Sequence, residues 1–396
     1  FNNDNSSLEG YSYVFTLDDV SGSAADGFTY TSGSRTSGTS TSANGTYKTL
    51  LDADIRQFTL PLWGGTDGVD IQKPDPFYNA GIGAAATRDT SYAFNTLERA
   101  IDTVSDPEYV EMNLLTVPGL TNAALTDKMI RNCSDRGDAL AIIDLPNVYI
   151  PNHESYNSDK TSRIGTTPIA AANALKDRQI DSSYGATYYP WVRISDTISG
   201  RNLWAPPSVA AIGAMSYSEN NAALWFAPAG FNRGGLTDGA AGIPVTNVRS
   251  RLTSAERDYL YERNINPIAT FPNEGIVIFG QKTLQVTPSA LDRINVRRLM
   301  IFVKKEISRI ASGLLFDQNV EQTWSRFTGQ VNPFLTNIKN NFGLDAFKVI
   351  LDETTTTPDL IDRNTIYAKI FLKPTKAVEF FAIDFVITNS GAGFED

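Results

Sequence analysis

Apolar residues follow different rhythms along the chain. From Thr96 onward short apolar runs alternate with amphipathic stretches. "YVEMNLLTVPG" reads as a strand with a Pro-Gly exit, "NAALTDKMIRNCSDRG" as a helix stopped by Gly137, and "DALAIIDLP" as a continuously apolar strand of the kind buried in a parallel sheet. "TTPIAAANALKDRQI" predicts a helix capped by Thr167 with Pro168 in its first turn, and "YYPWVRISD" a strand. "PPSVAAIGAMSYSE" is a helix of small residues suited to close packing, "LWFAPAG" a returning strand, "TSAERDYLYERN" a helix with a Thr253/Glu256 capping box, and "GIVIFGQKTL" one more strand. Such alternation predicts an α/β layer structure around a largely parallel sheet.

Beyond Pro288 the pattern changes. "SALDRINVRRLMIFVKKEISRIASGLLF" predicts one long helix, apolar on most sides, with Arg293, Arg297, Arg298, Lys304, Lys305 and Arg309 at its margins. Two shorter helices separated near Asn332-Pro333 follow, then the strand "AFKVILD" and a closing hairpin, which together make an α+β unit. Residues 1–95, dense in Ser, Thr, Gly and Asn between short aromatic runs, read as β-rich, with a low-complexity loop at "SGSRTSGTSTSANGTYK". The expected organisation is thus 1–95, 96–284 and 285–396.

In the hairpin's first strand Ile366, Ala368, Ile370 and Leu372 share one face, and Tyr367, Lys369, Phe371 and Lys373 the other. Its second strand is apolar on both faces, with Phe381, Ile383, Phe385 and Ile387 on one side. Such a strand wants a neighbour on its open edge, either "AFKVILD" or a strand from another copy.

Composition narrows the chemistry. With 41% hydrophobic residues in 396 the chain is long enough for two or three packed cores, and no apolar run is long enough for a membrane span. The first residue, Phe1, with no initiator Met or signal core, suggests a trimmed fragment. One histidine, His153, and one cysteine, Cys133, leave no internal disulfide, Cys/His zinc site or Cys-x-x-Cys motif. A net charge of −10 argues against nucleic-acid binding. Residues 291–376 hold thirteen Lys and Arg against nine Asp and Glu, a surplus of four, so the remainder carries −14. A basic segment of this kind is a solvated face or a docking face for an acidic partner.

"GTSTSANG" is similar to the nucleophile turn of subtilisin-like proteases, but His153 follows Ser40, the reverse of the order such a triad needs, and Ser40 lies in the low-complexity tract. Asp67, Asp70 and Asp75 in "GGTDGVDIQKPD" lack EF-hand spacing and read as a tight glycine turn. No phosphate-binding glycine loop is present, so neither cofactor nor metal is expected. Paired carboxylates of the glycosidase kind have no spacing signature, and a glycan-binding surface in the Tyr- and Asn-rich first region stays open.

Four blocks, "LWAPPSVAAIGAMSYSENNAALWFAPAGFNRGGL", "ERDYLYERNINPIATFPNEGIVIFGQKTL", "SALDRINVRRLMIFVKKEI" and "IDRNTIYAKIFLKPTKAVEFFAIDFVIT", together resemble the tail sheath proteins of contractile bacteriophages, over about Tyr109 to Thr388. "FTLPLWGGTDG" is similar to the glycine motif preceding that family's α/β domain. The resemblance implies a subtilisin-like middle domain without a catalytic triad, an outward-facing β-rich region and a C-terminal domain facing the tail tube. It implies a non-enzymatic subunit of the virion tail, assembled in the host cytoplasm. Its partners would be further copies in a helical polymer, the tail tube protein, and baseplate and tail terminator proteins, with no nucleic acid and no membrane. Contraction would drive the tube through the host envelope. Arg297, Arg298, Lys304, Lys305, Lys369 and Lys373 are the expected tube-binding residues, and Phe381, Ile383, Phe385 and Ile387 the expected inter-subunit strand edge. A fragment without the terminal arms would be monomeric. A subtilisin-like hydrolase or a glycan-binding virion module is the alternative.

Overall fold

The computed structural model describes residues 22–23, 29–30, 77, 79, 92–146, 167–196, 200, 202–237, 242 and 244–379. Ser40, the turn with Asp67, Asp70 and Asp75, His153 and the strand from Phe381 to Ile387 fall outside them. The chain divides into two compact units, Phe1–Val69 and Asp70–Asp396. In the first, β1 (Gly22–Ser23) pairs antiparallel with β2 (Thr29–Tyr30).

The second unit begins, among its described elements, with α1 (Tyr92–Thr103), a helix that crosses the expected boundary at residue 95. There follow β3 (Leu114–Thr116), α2 (Ala123–Arg136), β4 (Leu140–Ile143), α3 (Pro168–Lys176), β5 (Gly185–Tyr189), β6 (Val192–Ser195), β7 (Asn202–Ala205) and α4 (Pro207–Asn221). The remainder is β8 (Val245–Val248), α5 (Ser254–Glu262), β9 (Asn266–Phe271), β10 (Gly275–Ile278), α6 (Ile294–Ser312), α7 (Glu321–Asn340), β11 (Leu344–Ile350), α8 (Pro358–Asp362) and β12 (Lys369–Pro374).

Local chemistry sets the helix ends. Asn122 caps α2 by accepting from the Leu125 amide, and Gly137 ends it in the left-handed region at φ 67°. Thr167 accepts from the Ala170 amide at the start of α3, and Thr253 and Glu256 form the reciprocal capping box of α5.

A five-stranded sheet in the order β10-β9-β5-β4-β3 forms the centre. Strands β3, β4, β5 and β9 run parallel, and β10 returns antiparallel to β9. The two-residue period of β4 separates the layers: Ala141 and Ile143 join α1, α2, α3 and α5 in one core, and Leu140 and Ile142 join α4 and part of α6 in the other. Cys133 lies fully buried in the first core. A second antiparallel sheet, β7-β6-β8, adds Val192, Ala205, Val245 and Val248 to the other core. The result is a mixed α/β architecture.

The expected strand "YYPWVRISD" is split, because Pro190 cannot donate to a ladder; β5 stays in the main sheet and β6 enters the second. "LWFAPAG" forms no strand; Trp225 turns away to pack on Phe302 of α6. Instead β9, at "NPIATF", lies between β5 and β10. The two helices expected around Pro333 are one, α7. An internal proline costs about 3 kcal/mol, but the buried stripe Phe327, Val331, Leu335 and Ile338 runs across Pro333 and offsets it.

A third core lies under the hairpin of β11 and β12. Leu299 and Val303 of α6 meet the α7 stripe and Leu344, with Ile370 and Leu372 of β12 packed against them. Because Ile294 and Ile301 of the same helix belong to the core on the main sheet, α6 is a strut shared by two cores.

Candidate functional site

Among the described residues no cluster of three or more His, Cys, Asp or Glu side chains is arranged to hold a metal ion. The chemistry concentrates along α6. Arg298 is only 5% exposed and its Nη2 donates to Glu219 of α4 at 2.8 Å. Arg297 is 6% exposed; its guanidinium donates to Ser183 Oγ and stacks 4.0 Å from the centre of the Tyr184 ring. Burial lowers the basicity of both, with Tyr184 and Glu219 opposing it at Arg297 and Arg298 respectively.

Two turns further on, Lys304 Nζ donates to the carbonyl of Gly137 at 3.3 Å, which sets a cation at the negative end of α2. Lys305 Nζ reaches Met112 O at 2.9 Å and Asn113 Oδ1 at 2.7 Å, just before β3. These four side chains therefore fasten α6 to the central sheet and its helices. Arg297 and Arg298 do not lie on an exposed margin of the helix, as its sequence suggested. Periodicity marked α6 as apolar on most sides, but not which flank its neighbours would cover.

Lys369 and Lys373 lie elsewhere. Both are exposed on the outer face of β12, where Lys369 sits 5.7 Å from the Tyr367 ring and Lys373 pairs with Asp345 at 2.5 Å. The hydrogen bond between them raises the Lys373 pKa and lowers that of Asp345. Alternation along β12 is as its sequence suggests: Ile370 and Leu372 inward, Lys369, Phe371 and Lys373 outward. β12 pairs antiparallel with β11, the strand "AFKVILD".

Three further arrangements had no sequence signal. Trp225 donates to the Asn341 carbonyl, and its ring centre lies 6.3 Å from that of Phe302. Glu379 accepts from Arg293 Nε at 2.6 Å and Nη2 at 3.0 Å, and from the Tyr261 hydroxyl at 2.9 Å, so the chain after β12 is tied back to α5 and to the start of α6. Asp144 follows β4 and is 1% exposed; it accepts from Gly119 N at 2.9 Å, Ser208 N at 3.1 Å and Ser208 Oγ at 2.7 Å. Since Pro206, the cap residue of α4, has no capping side chain, Asp144 satisfies the first turn of that helix from another strand. Each pairing spans many residues of sequence, so no local motif marks it.

Two family descriptions match adjoining parts of the chain: "Phage tail sheath protein central domain" over residues 93–284 and "Phage tail sheath C-terminal domain" over residues 286–388. The chain belongs to the phage tail sheath family. It is 32% identical to the tail sheath protein of Vibrio phage KVP40 over 309 residues, 75% of this chain and 45% of that one. It is 30% identical to the tail sheath protein of Enterobacteria phage T4 over 311 residues, 76% of this chain and 45% of that one. This sheath-family chain thus spans about half the length of these relatives. Its fold is similar to that in the cryo-EM structure of an extracellular contractile injection system, the PVC sheath complex in its contracted state. The TM-score is 0.58, with 24% identity over 74% of each chain, and at that identity the likeness is one of fold.

Proposed function

We propose that this chain is the body of a structural subunit of a contractile tail sheath. Copies of the whole protein polymerise helically around a tail tube, in the virion tail, after synthesis in the host cytoplasm. Contraction then drives the tube through the host envelope. The observation that carries the reading is the match to central and C-terminal sheath domains in one chain, joined physically by α6.

On this reading residues 96–284 are a subtilisin-like sheath domain without protease activity, 285–396 the tube-facing domain, and 1–95 the outer-facing region. A parallel sheet between helical layers, with Asp144 hydrogen-bonded to Ser208 at the start of α4, supports a layered domain kept for its shape. Work is stored in contacts between subunits, and the subunit itself moves as a braced body. Lys369 and Lys373, exposed on β12, grip the tube, while Arg297, Arg298, Lys304 and Lys305 hold α6 in place behind them. The strand with Phe381, Ile383, Phe385 and Ile387 pairs with a neighbouring subunit. Baseplate and terminator proteins cap the polymer, and no cofactor, metal, membrane or nucleic acid takes part.

Negative-stain electron microscopy of the purified full-length protein tests this reading. Hollow cylinders of uniform diameter are expected. A dispersed protein that hydrolyses peptides or binds glycans would overturn it.

A further inference from the structure

Between α6, the end of α2 and the inner face of β12 lies a groove of about 340 Å³, lined by Tyr184, Arg297, Met300, Lys304, Ile370 and Leu372 among others. Its floor is apolar, yet two cations seven residues apart on one face of α6 reach it. The described residues contain three buried arginines, and two of them have a carboxylate: Arg136 has Asp138 and Arg298 has Glu219. Arg297 has none. Its guanidinium meets a serine hydroxyl and the Tyr184 side chain, neither of them a carboxylate, and its Nε is buried with no hydrogen-bond partner among the described residues. A guanidinium so placed has lost its water without gaining an opposite charge from the described residues, and a carboxylate entering the groove would supply that charge.

We infer that this groove is a receptor for an acidic side chain carried on an apolar stretch of a second copy of the chain, with Arg297 and Lys304 as its two donors. The apolar walls suit the flanks of a polypeptide better than a free anion. Charge complementarity selects a second copy: residues 291–376 carry a surplus of four positive charges and the rest of the chain −14, so copies meet with opposite sign when this segment faces another part of a neighbour. The inference rests on the self-assembly reading above.

The test is site-specific photo-crosslinking in assembled full-length protein. A benzophenone amino acid replaces Ile307, half-buried at the groove, or in a second variant Ser308, exposed beside it. Crosslinks to a peptide of another copy that contains Asp or Glu are expected. Crosslinks to a tube subunit alone, or none in polymers that do form, would overturn the inference and leave the sheath reading intact. If the unsubstituted protein forms no polymer, both readings fall. Lys304→Glu also loses the bond to the Gly137 carbonyl, so it is compared with Lys304→Gln, which loses the same bond, both well below their melting transitions. Lys304→Glu should raise the concentration needed for polymerisation about tenfold above that of Lys304→Gln at low salt. The same concentration for both variants would also overturn it.

Discussion

Trp225 donates its indole N–H to the backbone carbonyl of Asn341 at 2.8 Å. The bond joins the loop after α4 to the residue that ends α7, and Phe302 of α6 packs beside the same ring while contacting Phe334 in turn, 5.8 Å between centres. Trp225 thereby fixes the helical hairpin of α6 and α7 against the central layers. Trp225→Ala should destabilise the protein by about 2 kcal/mol and Trp225→Phe by about 1 kcal/mol, as read from urea denaturation midpoints.

Asp144 gives the body a pH dependence. Burial pushes its carboxyl up from 3.8 to about 6, against the hydrogen bonds from Gly119 and Ser208 that favour the ionised form. Below pH 3.8 the group is protonated in folded and unfolded chains alike, and its contribution is fully present. Between 3.8 and about 6 the fold retains a proton that the unfolded chain has released, so stability falls as pH rises, by roughly 3 kcal/mol in all. Denaturation curves from pH 4 to 7 should show this slope in the wild type, and Asp144→Asn should flatten it.

Glu379 and Arg293 should couple strongly in a double-mutant cycle. Burial alone would lower the Arg293 pKa, yet the carboxylate outweighs it and leaves the group raised; Tyr261 is raised by burial first and by Glu379 next. The pair is bidentate and mostly shielded from solvent. Glu379→Gln combined with Arg293→Met should give a coupling of about 1–2 kcal/mol in thermal unfolding. Each change should also speed tryptic cleavage after Lys376, because the bond that holds this stretch to α5 is gone.

How far the sequence revealed these features depended on their range. Helix caps are local, so Thr167, Gly137 and the Thr253/Glu256 box could be read directly. β9 was hidden because Pro267 opens a short apolar run that looks like a turn, and only its neighbours β5 and β10 make it a strand. "LWFAPAG" had the opposite fault: apolar enough for a strand, it serves instead as the socket that receives α6 and α7. The six expected tube-binding residues divide for the same reason. Lys369 and Lys373 alternate on a strand with one exposed face, whereas Arg297 and Arg298 lie on a helix whose surroundings come from distant segments.

Charge reversal at β12 separates grip from fold. Lys369→Glu with Lys373→Glu alters exposed side chains and breaks one exposed ion pair, Lys373–Asp345, so stability should fall only slightly and the fold should stay intact. Co-assembly with tail tubes, scored by sedimentation of decorated tubes, should be lost at low salt. Undiminished decoration would remove these lysines from the tube contact.

The central physical claim is that α6 braces the two cores into one body, so that motion occurs between subunits. Spin labels at Lys176→Cys on α3 and Lys348→Cys on β11, in a Cys133→Ala background and diluted into unlabelled subunits, report on it by electron-electron resonance. The account predicts the same distance distribution before and after contraction. A change as large as one helical pitch, about 5 Å, would contradict it.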